Sequence, residues 1–215
     1  MYKLAVFDLD GTVLDTLDDL ALAFNAARAH AGLKPQDKEC FRRWVGNGSR
    51  RTIELSTEGE TADREEMLSF FREYYLEHCL ENTYEYEGIT ELLTELKASG
   101  VHTAVYTNKP DNAAQKLIKA RFDGLFDITR GQREGLPIKP DPGILISIMS
   151  DFGVKASETV YIGDSEVDIM TGKNAGVRTI SVSWGFKSIG FLLSHGAQTI
   201  VGDAVKLTDM ILDRG

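Results

Sequence analysis

Lys3-Leu4-Ala5-Val6-Phe7-Asp8-Leu9-Asp10-Gly11-Thr12 is an apolar run that ends in acid and a turn. The continuous apolar stretch at 3–7, bounded by turn signals, predicts a buried strand. Asp-Gly by itself is a strong turn signal. Far downstream the pattern recurs, where Thr159-Val160-Tyr161-Ile162 runs into Gly163-Asp164-Ser165-Glu166-Val167-Asp168. In an open α/β sheet, ligands gather at the carboxyl ends of the strands. Carboxylates crowded there are costly unless a cation sits among them. The two acid pairs therefore predict a hard divalent cation and one carboxylate free to act as a nucleophile.

Outward from the first strand, the character changes. Leu17, Leu20, Ala21, Phe24 and Ala27 recur at helical spacing, with Gly32 and Pro35 as a stop. Further helices are predicted at 39–44, 49–56 and 64–80, the last with Met67, Phe70, Phe71, Tyr74 and Cys79 on one broad face. From residue 89 strands and helices alternate: helices at 89–98, 111–121, 142–152, 165–174 and 204–212, strands at 101–106, 126–129, 159–162, 178–183 and weakly 199–201. Such alternation predicts a three-layer, mostly parallel α/β sheet of Rossmann-like type. A crossover needs only a dozen or so residues, so the long gap after the first strand holds an inserted helical bundle. The predicted division is 1–13 and 85–215 for the core and 14–84 for a helical cap.

Composition is that of an ordinary globular protein, 42% hydrophobic and 27% charged. No apolar run approaches the ~20 residues of a membrane span, and no signal peptide is visible. With Cys40 and Cys79 far apart, reduced thiols and a cytoplasmic location are expected. A net charge of −9 argues against a nucleic-acid partner, and no obligate protein partner is evident. An anionic substrate would need local positive charge.

Several other readings fail on their own terms. A calcium loop would need an acid at Thr12 and glycine at Val13. Gly46-Asn47-Gly48-Ser49-Arg50-Arg51 follows a helix and lacks the third glycine of a dinucleotide fingerprint. Gly163-Asp164-Ser165-Glu166-Val167 lacks the closing glycine of a nucleophile elbow. The four histidines share no metal-like spacing. What remains is a set at one sheet edge: Asp8 and Asp10, Thr107-Asn108-Lys109 after the strand at 101–106, Lys139-Pro140 before a helix, and Asp164 with Asp168.

In that order and topology the chain resembles the haloacid-dehalogenase superfamily of phosphatases along essentially its whole length. Asp8 and Asp10 match its first motif, Thr107 its second, Lys139 its third, Asp164 and Asp168 its fourth. The second acid, Asp10, is the mark of phosphatases within that group, and the helical insert looks like its small cap. The resemblance implies Asp8 as nucleophile forming an aspartyl-phosphate and Asp10 as acid and base. Thr107 and Asn108 would hold phosphoryl oxygens, and Lys139 would neutralise charge at Asp8. Mg2+ is the implied cofactor, on the Asp8 carboxylate, the Asp10 carbonyl and Asp164, with Asp168 at the metal site or orienting a water or Lys139. Trp44-Val45-Gly46-Asn47-Gly48 and Arg50 resemble the cap loop of phosphoglycolate phosphatases. That implies a small phosphorylated metabolite, 2-phosphoglycolate first, with Asn47 and Arg50 as substrate contacts. Phosphosugar mutases, nucleotidases and pyrophosphatases share most of these motifs and stay open as alternatives.

Overall fold

The computed structural model describes residues 1–214. Six parallel strands form the main sheet: β1 (Leu4–Phe7), β4 (His102–Pro110), β5 (Ile128–Gln132), β6 (Thr159–Gly163), β7 (Arg178–Val182) and β8 (Ile200–Val201). Their spatial order is β5-β4-β1-β6-β7-β8. All of β1 is buried, as its unbroken apolar run requires. The chain fills one side of β1 with β4 and β5, then returns to the other side with β6. The β1/β6 boundary is therefore the switch point, where ligands bind in such sheets.

Helices cover both faces. One face carries α5 (Ile89–Ala98), α6 (Asp111–Arg121) and α10 (Ala204–Leu212), whose apolar residues share a cluster with Phe7, Val105 and Ile162. The other carries α7 (Gly143–Asp151), whose Leu145 and Ile148 pack against Val6, Tyr106 and Tyr161. The helix α8 (Glu166–Ala175) leaves β6 through a capping box, Ser165 with Asp168, and ends on left-handed Gly176.

The insert after β1 is four helices: α1 (Leu17–His30), α2 (Lys38–Trp44), α3 (Ser49–Ser56) and α4 (Arg64–His78). Their shared interior is an aromatic stack, with Phe24 and Phe71 ring centroids 4.0 Å apart and Phe41 5.5 Å from Phe24. Arg28, fully buried, bonds the Lys34 and Ser56 carbonyls and pairs with Glu60, tying the ends of α1 and α3 together. Asp19 accepts from the Asn82 backbone and the Thr83 hydroxyl and pins the returning chain. Where the chain leaves and re-enters the sheet domain, β2 (Leu14–Asp15) pairs antiparallel with β3 (Tyr84–Glu85).

Sequence patterning predicts every helix of the insert and every strand of the main sheet to within a few residues. It misses the β2–β3 ribbon, the short helix α9 (Ile189–Ser194) and a 3-10 turn at Ala156–Glu158. The fifth strand begins at Ile128 rather than Phe126, because Phe126 turns inward to pack edge-on against Phe7 and Phe122. No described helix is long and apolar enough to cross a membrane.

Candidate active site

Register brings the motifs together. Phe7 is level with Val105 on one side and Ile162 on the other, so Asp8 and Asp164 leave their strands at the edge where β4, which runs on to Pro110 rather than ending at residue 106, carries Thr107, Asn108 and Lys109. Lys139 arrives from the loop between β5 and α7, and Asp168 from the first turn of α8. The Lys139 ammonium lies 2.8 Å from Asp8 Oδ1 and 2.7 Å from Asp168 Oδ1, and donates to the Tyr161 hydroxyl at 3.1 Å. Burial alone would pull this lysine down, yet Asp168 and Asp8 outweigh it and hold the ammonium well above the ordinary lysine value. Asp168 Oδ2 accepts from both the N–H and the hydroxyl of Ser165, at 3.1 and 2.5 Å. With both oxygens engaged, Asp168 is built to hold Lys139 in place.

Acidic oxygens of Asp8, Asp164 and Asp168 all lie within 4.8 Å of one another, and all three residues are buried. Burial pushes the Asp8 carboxyl up to about 7; Lys139 opposes this, while Asp168 and Asp10 add to it. Asp164 is likewise held well above the carboxylate range, by burial first and then by Asp168 and Asp8. One ammonium against three buried carboxylates leaves a negative excess that a divalent cation would neutralise. Hard oxygen donors in this arrangement fit a hard divalent cation. Backbone is pressed close to make the room: a Cβ on Gly11, whose φ is +80°, would stand 2.4 Å from Asp164 Oδ2. Phe186 N–H donates to that same oxygen at 2.7 Å.

Asp10 faces the insert. Thr16 donates to its Oδ1 at 2.6 Å, and the ammonium of Lys109 lies 2.9 Å from the same atom. Lys109 also donates to the hydroxyl of Tyr75, on α4, at 2.7 Å. Its side chain is 1% exposed. Sequence analysis sets this lysine beside Thr107 and Asn108 but gives it no role of its own. The available signal was the position of Lys109 beside Thr107 and Asn108 at a strand's carboxyl end.

Between sheet edge and insert lies a cavity of ≈ 40 Å³, lined by Asp8, Asp10, Thr107, Asn108 and Lys109 below and by Leu20, Phe24, Gly48, Ser49, Phe71 and Tyr75 above. The Asn108 side chain is spent on structure: it donates to the carbonyls of Gly46 and Lys139 and accepts from the Lys139 N–H. Two expected contacts do not line the cavity. Asn47 turns toward α8, its amide 3.5 Å from Glu166. Arg50 is exposed and pairs with Glu65, because its place in the first turn of α3 directs it to the start of α4. A further link escaped the sequence reading: Lys187 donates to the carbonyls of Arg42 and Arg43 at 3.2 and 2.8 Å, capping the end of α2 from the sheet domain.

A family model described as haloacid dehalogenase-like hydrolase matches residues 5–182. The phosphoglycolate phosphatase of Mannheimia succiniciproducens is 34% identical over 198 residues, 86% of this chain and 87% of that one. Phosphoglycolate phosphatase 1 of Pseudomonas aeruginosa is 33% identical over 213 residues, 95% of this chain and 77% of that one. A solved structure from Lactobacillus delbrueckii subsp. bulgaricus superposes with a TM-score of 0.90 at 35% identity, covering 98% of both chains.

Proposed function

The chain belongs to the haloacid dehalogenase-like hydrolase family, and from that premise we propose that it is a magnesium-dependent phosphomonoester hydrolase whose preferred substrate is 2-phosphoglycolate. The observation that carries the reading is Lys139 held between Asp8 and Asp168, with Asp164 alongside, at the sheet's switch point. Relatives named phosphoglycolate phosphatase, about a third identical over most of the chain, support the substrate.

In the first step an Asp8 carboxylate oxygen attacks phosphorus, the bond from phosphorus to the ester oxygen breaks, and the leaving oxygen takes a proton from Asp10. In the second, Asp10 takes a proton from water, the water oxygen attacks phosphorus, and the Asp8–phosphorus bond breaks to release phosphate. Both protein contacts on Asp10 fall on Oδ1, which leaves Oδ2 for the leaving oxygen and the water. The Thr107 hydroxyl, buried at the strand end, donates to a phosphoryl oxygen. Lys139 keeps Asp8 charged and aimed. Mg2+ held by Asp8, Asp164 and the Asp10 carbonyl would supply charge neutralisation for the phosphoryl group.

The wall of the cavity contributed by the insert carries no acid and no histidine. A mutase would need such a base to activate a sugar hydroxyl, so this lining favours water as the acceptor. The insert at 14–84 acts as a cap that opens on its ribbon to admit substrate. The unpaired state of Cys40 and Cys79 fits a cytoplasmic location.

Phosphate release from a panel of phosphorylated metabolites with Mg2+, and with metal chelated, tests the reading. Turnover of 2-phosphoglycolate ahead of sugar phosphates and nucleotides, lost on chelation, is the expected result. Full activity in chelator, or preference for a nucleotide, would refute it.

A further inference from the structure

A substrate with its own carboxylate brings a second negative charge into a cavity that already holds Asp8 and Asp10. Arg50, the obvious cation, is turned away and paired with Glu65. Lys139 is committed to two carboxylates and a phenol. Three features of the cavity wall, two on the insert and one on the sheet edge, meet the charge instead.

The first is the start of α3. Its N-cap is Gly48, which offers no side-chain acceptor, and its first turn holds no acid. The N–H groups of that turn have no helical partner and carry the positive end of the helix dipole. The second is Ser49, 7% exposed, which lines the cavity while its buried hydroxyl oxygen has no hydrogen-bond partner. A buried hydroxyl left unpartnered is costly and is rarely found without a ligand to answer it. The third is Lys109. An ammonium has three donors; two are used on Asp10 and Tyr75, and no described residue takes the third.

We propose that the start of α3, with the Ser49 hydroxyl and the Lys109 ammonium, is the subsite for the substrate's second anionic group, a carboxylate set one carbon from the ester oxygen. This deepens, and rests on, the phosphatase reading. Gly48 fixes the distance: a Cβ there would lie 3.5 Å from Ile138 and 4.0 Å from the Asn108 carbonyl, so the helix start sits directly over the strand end that carries Thr107. Apolar Leu20, Phe24 and Phe71 on the remaining wall leave longer polar substrates unmatched.

The test compares kcat/KM for 2-phosphoglycolate with that for ethyl phosphate, which has a methyl group where the carboxylate stands, in the Mg2+-loaded enzyme. A charge-assisted bond lost in Ser49→Ala should lower the acid-to-neutral ratio roughly tenfold, and Lys109→Met should lower it further. Ser49→Asp should reverse the preference by repulsion, while Arg50→Ala should leave the ratio within about twofold. Ratios unchanged in Ser49→Ala and Ser49→Asp, or a selective loss in Arg50→Ala, would overturn the subsite. Lys109 is buried at an ion pair, so the two Ser49 variants decide the matter should Lys109→Met fail to fold. Calorimetric binding of 2-phosphoglycolate to Asp8→Asn, with and without Ser49→Ala, reads the subsite without turnover. Weaker binding in the double variant supports it and equal binding overturns it, whereas a wild type that hydrolyses neither ester would refute the phosphatase reading alone.

Discussion

Asp8 stands in an electrostatic conflict between burial and its neighbours. Its carboxyl is raised from 3.8 to about 7, chiefly by burial. A carboxyl whose folded pKa lies above its unfolded value binds its proton more tightly when folded. Stability is therefore lost as pH rises from about 4 to 7 in the metal-free protein. Divalent metal should cancel that loss, so the gain in Tm on adding Mg2+ should be larger near pH 8 than near pH 5, measured by calorimetry. A gain independent of pH would mean that the metal does not meet these acids. Asp8→Asn should lower turnover by at least about 10³-fold, since no other carboxylate is positioned in line, and its circular dichroism should match wild type. Lys139→Ala should cost stability on the order of 3–5 kcal/mol, because it strands Asp8 and Asp168 as buried charges without their partner. Urea unfolding reads that loss, and a cost below about 1 kcal/mol would contradict the pairing. Asp8, Asp10 and Asp164 were legible because each stands just past a strand end, and Lys139 and Asp168 because they follow in the order of motifs at that edge. Lys109 and Ser49 were not, since their worth depends on which elements face each other across the cavity.

Among the elements, α3 and α10 start and stop where their sequence patterns place them, at Ser49–Ser56 and Ala204–Leu212. The spacing of apolar residues, with Asp203 as N-cap for α10, defines these helices locally. The β2–β3 ribbon could not be read that way. A two-residue strand has no period, and its pairing joins Leu14 to Glu85 across the whole insert. The short helix α9 was hidden for a similar reason: six residues with a glycine carry little periodicity, and its start rests on Ser188, which accepts from Phe191 N–H. Polar contacts that tie the insert to the sheet domain include Lys187 on the α2 carbonyls, Asn108 on Gly46 and Lys116 on the carbonyls of Leu76 and Glu77. Lys187→Met removes the ammonium from the end of α2, so it should raise KM several-fold with a smaller change in kcat. An equal fall in both activity on ethyl phosphate and thermal stability, with KM unmoved, would assign Lys187 to folding alone.

For the molecule as a whole, the parallel sheet sets the acids and lysines of the candidate site on one edge, and the helical insert closes a small cavity over them. The alternating pattern after residue 89 and the long gap between the first predicted strand and the next at 101–106 pointed to a sheet with a helical insert. The tilt of the insert was not readable, and with it went the direction of Arg50. It follows from Arg28, Glu60 and the aromatic stack, which are contacts between helices distant in sequence. Everything in the proposed chemistry depends on phosphorus passing through Asp8. Rapid quenching during turnover of 2-phosphoglycolate with Mg2+, into hydroxylamine, converts an acyl phosphate to a stable hydroxamate that peptide mass mapping locates. The account predicts the hydroxamate on Asp8 and on no other acid, dependent on substrate. A hydroxamate on Asp10, Asp164 or Asp168, or none in an enzyme that is turning over, would contradict it.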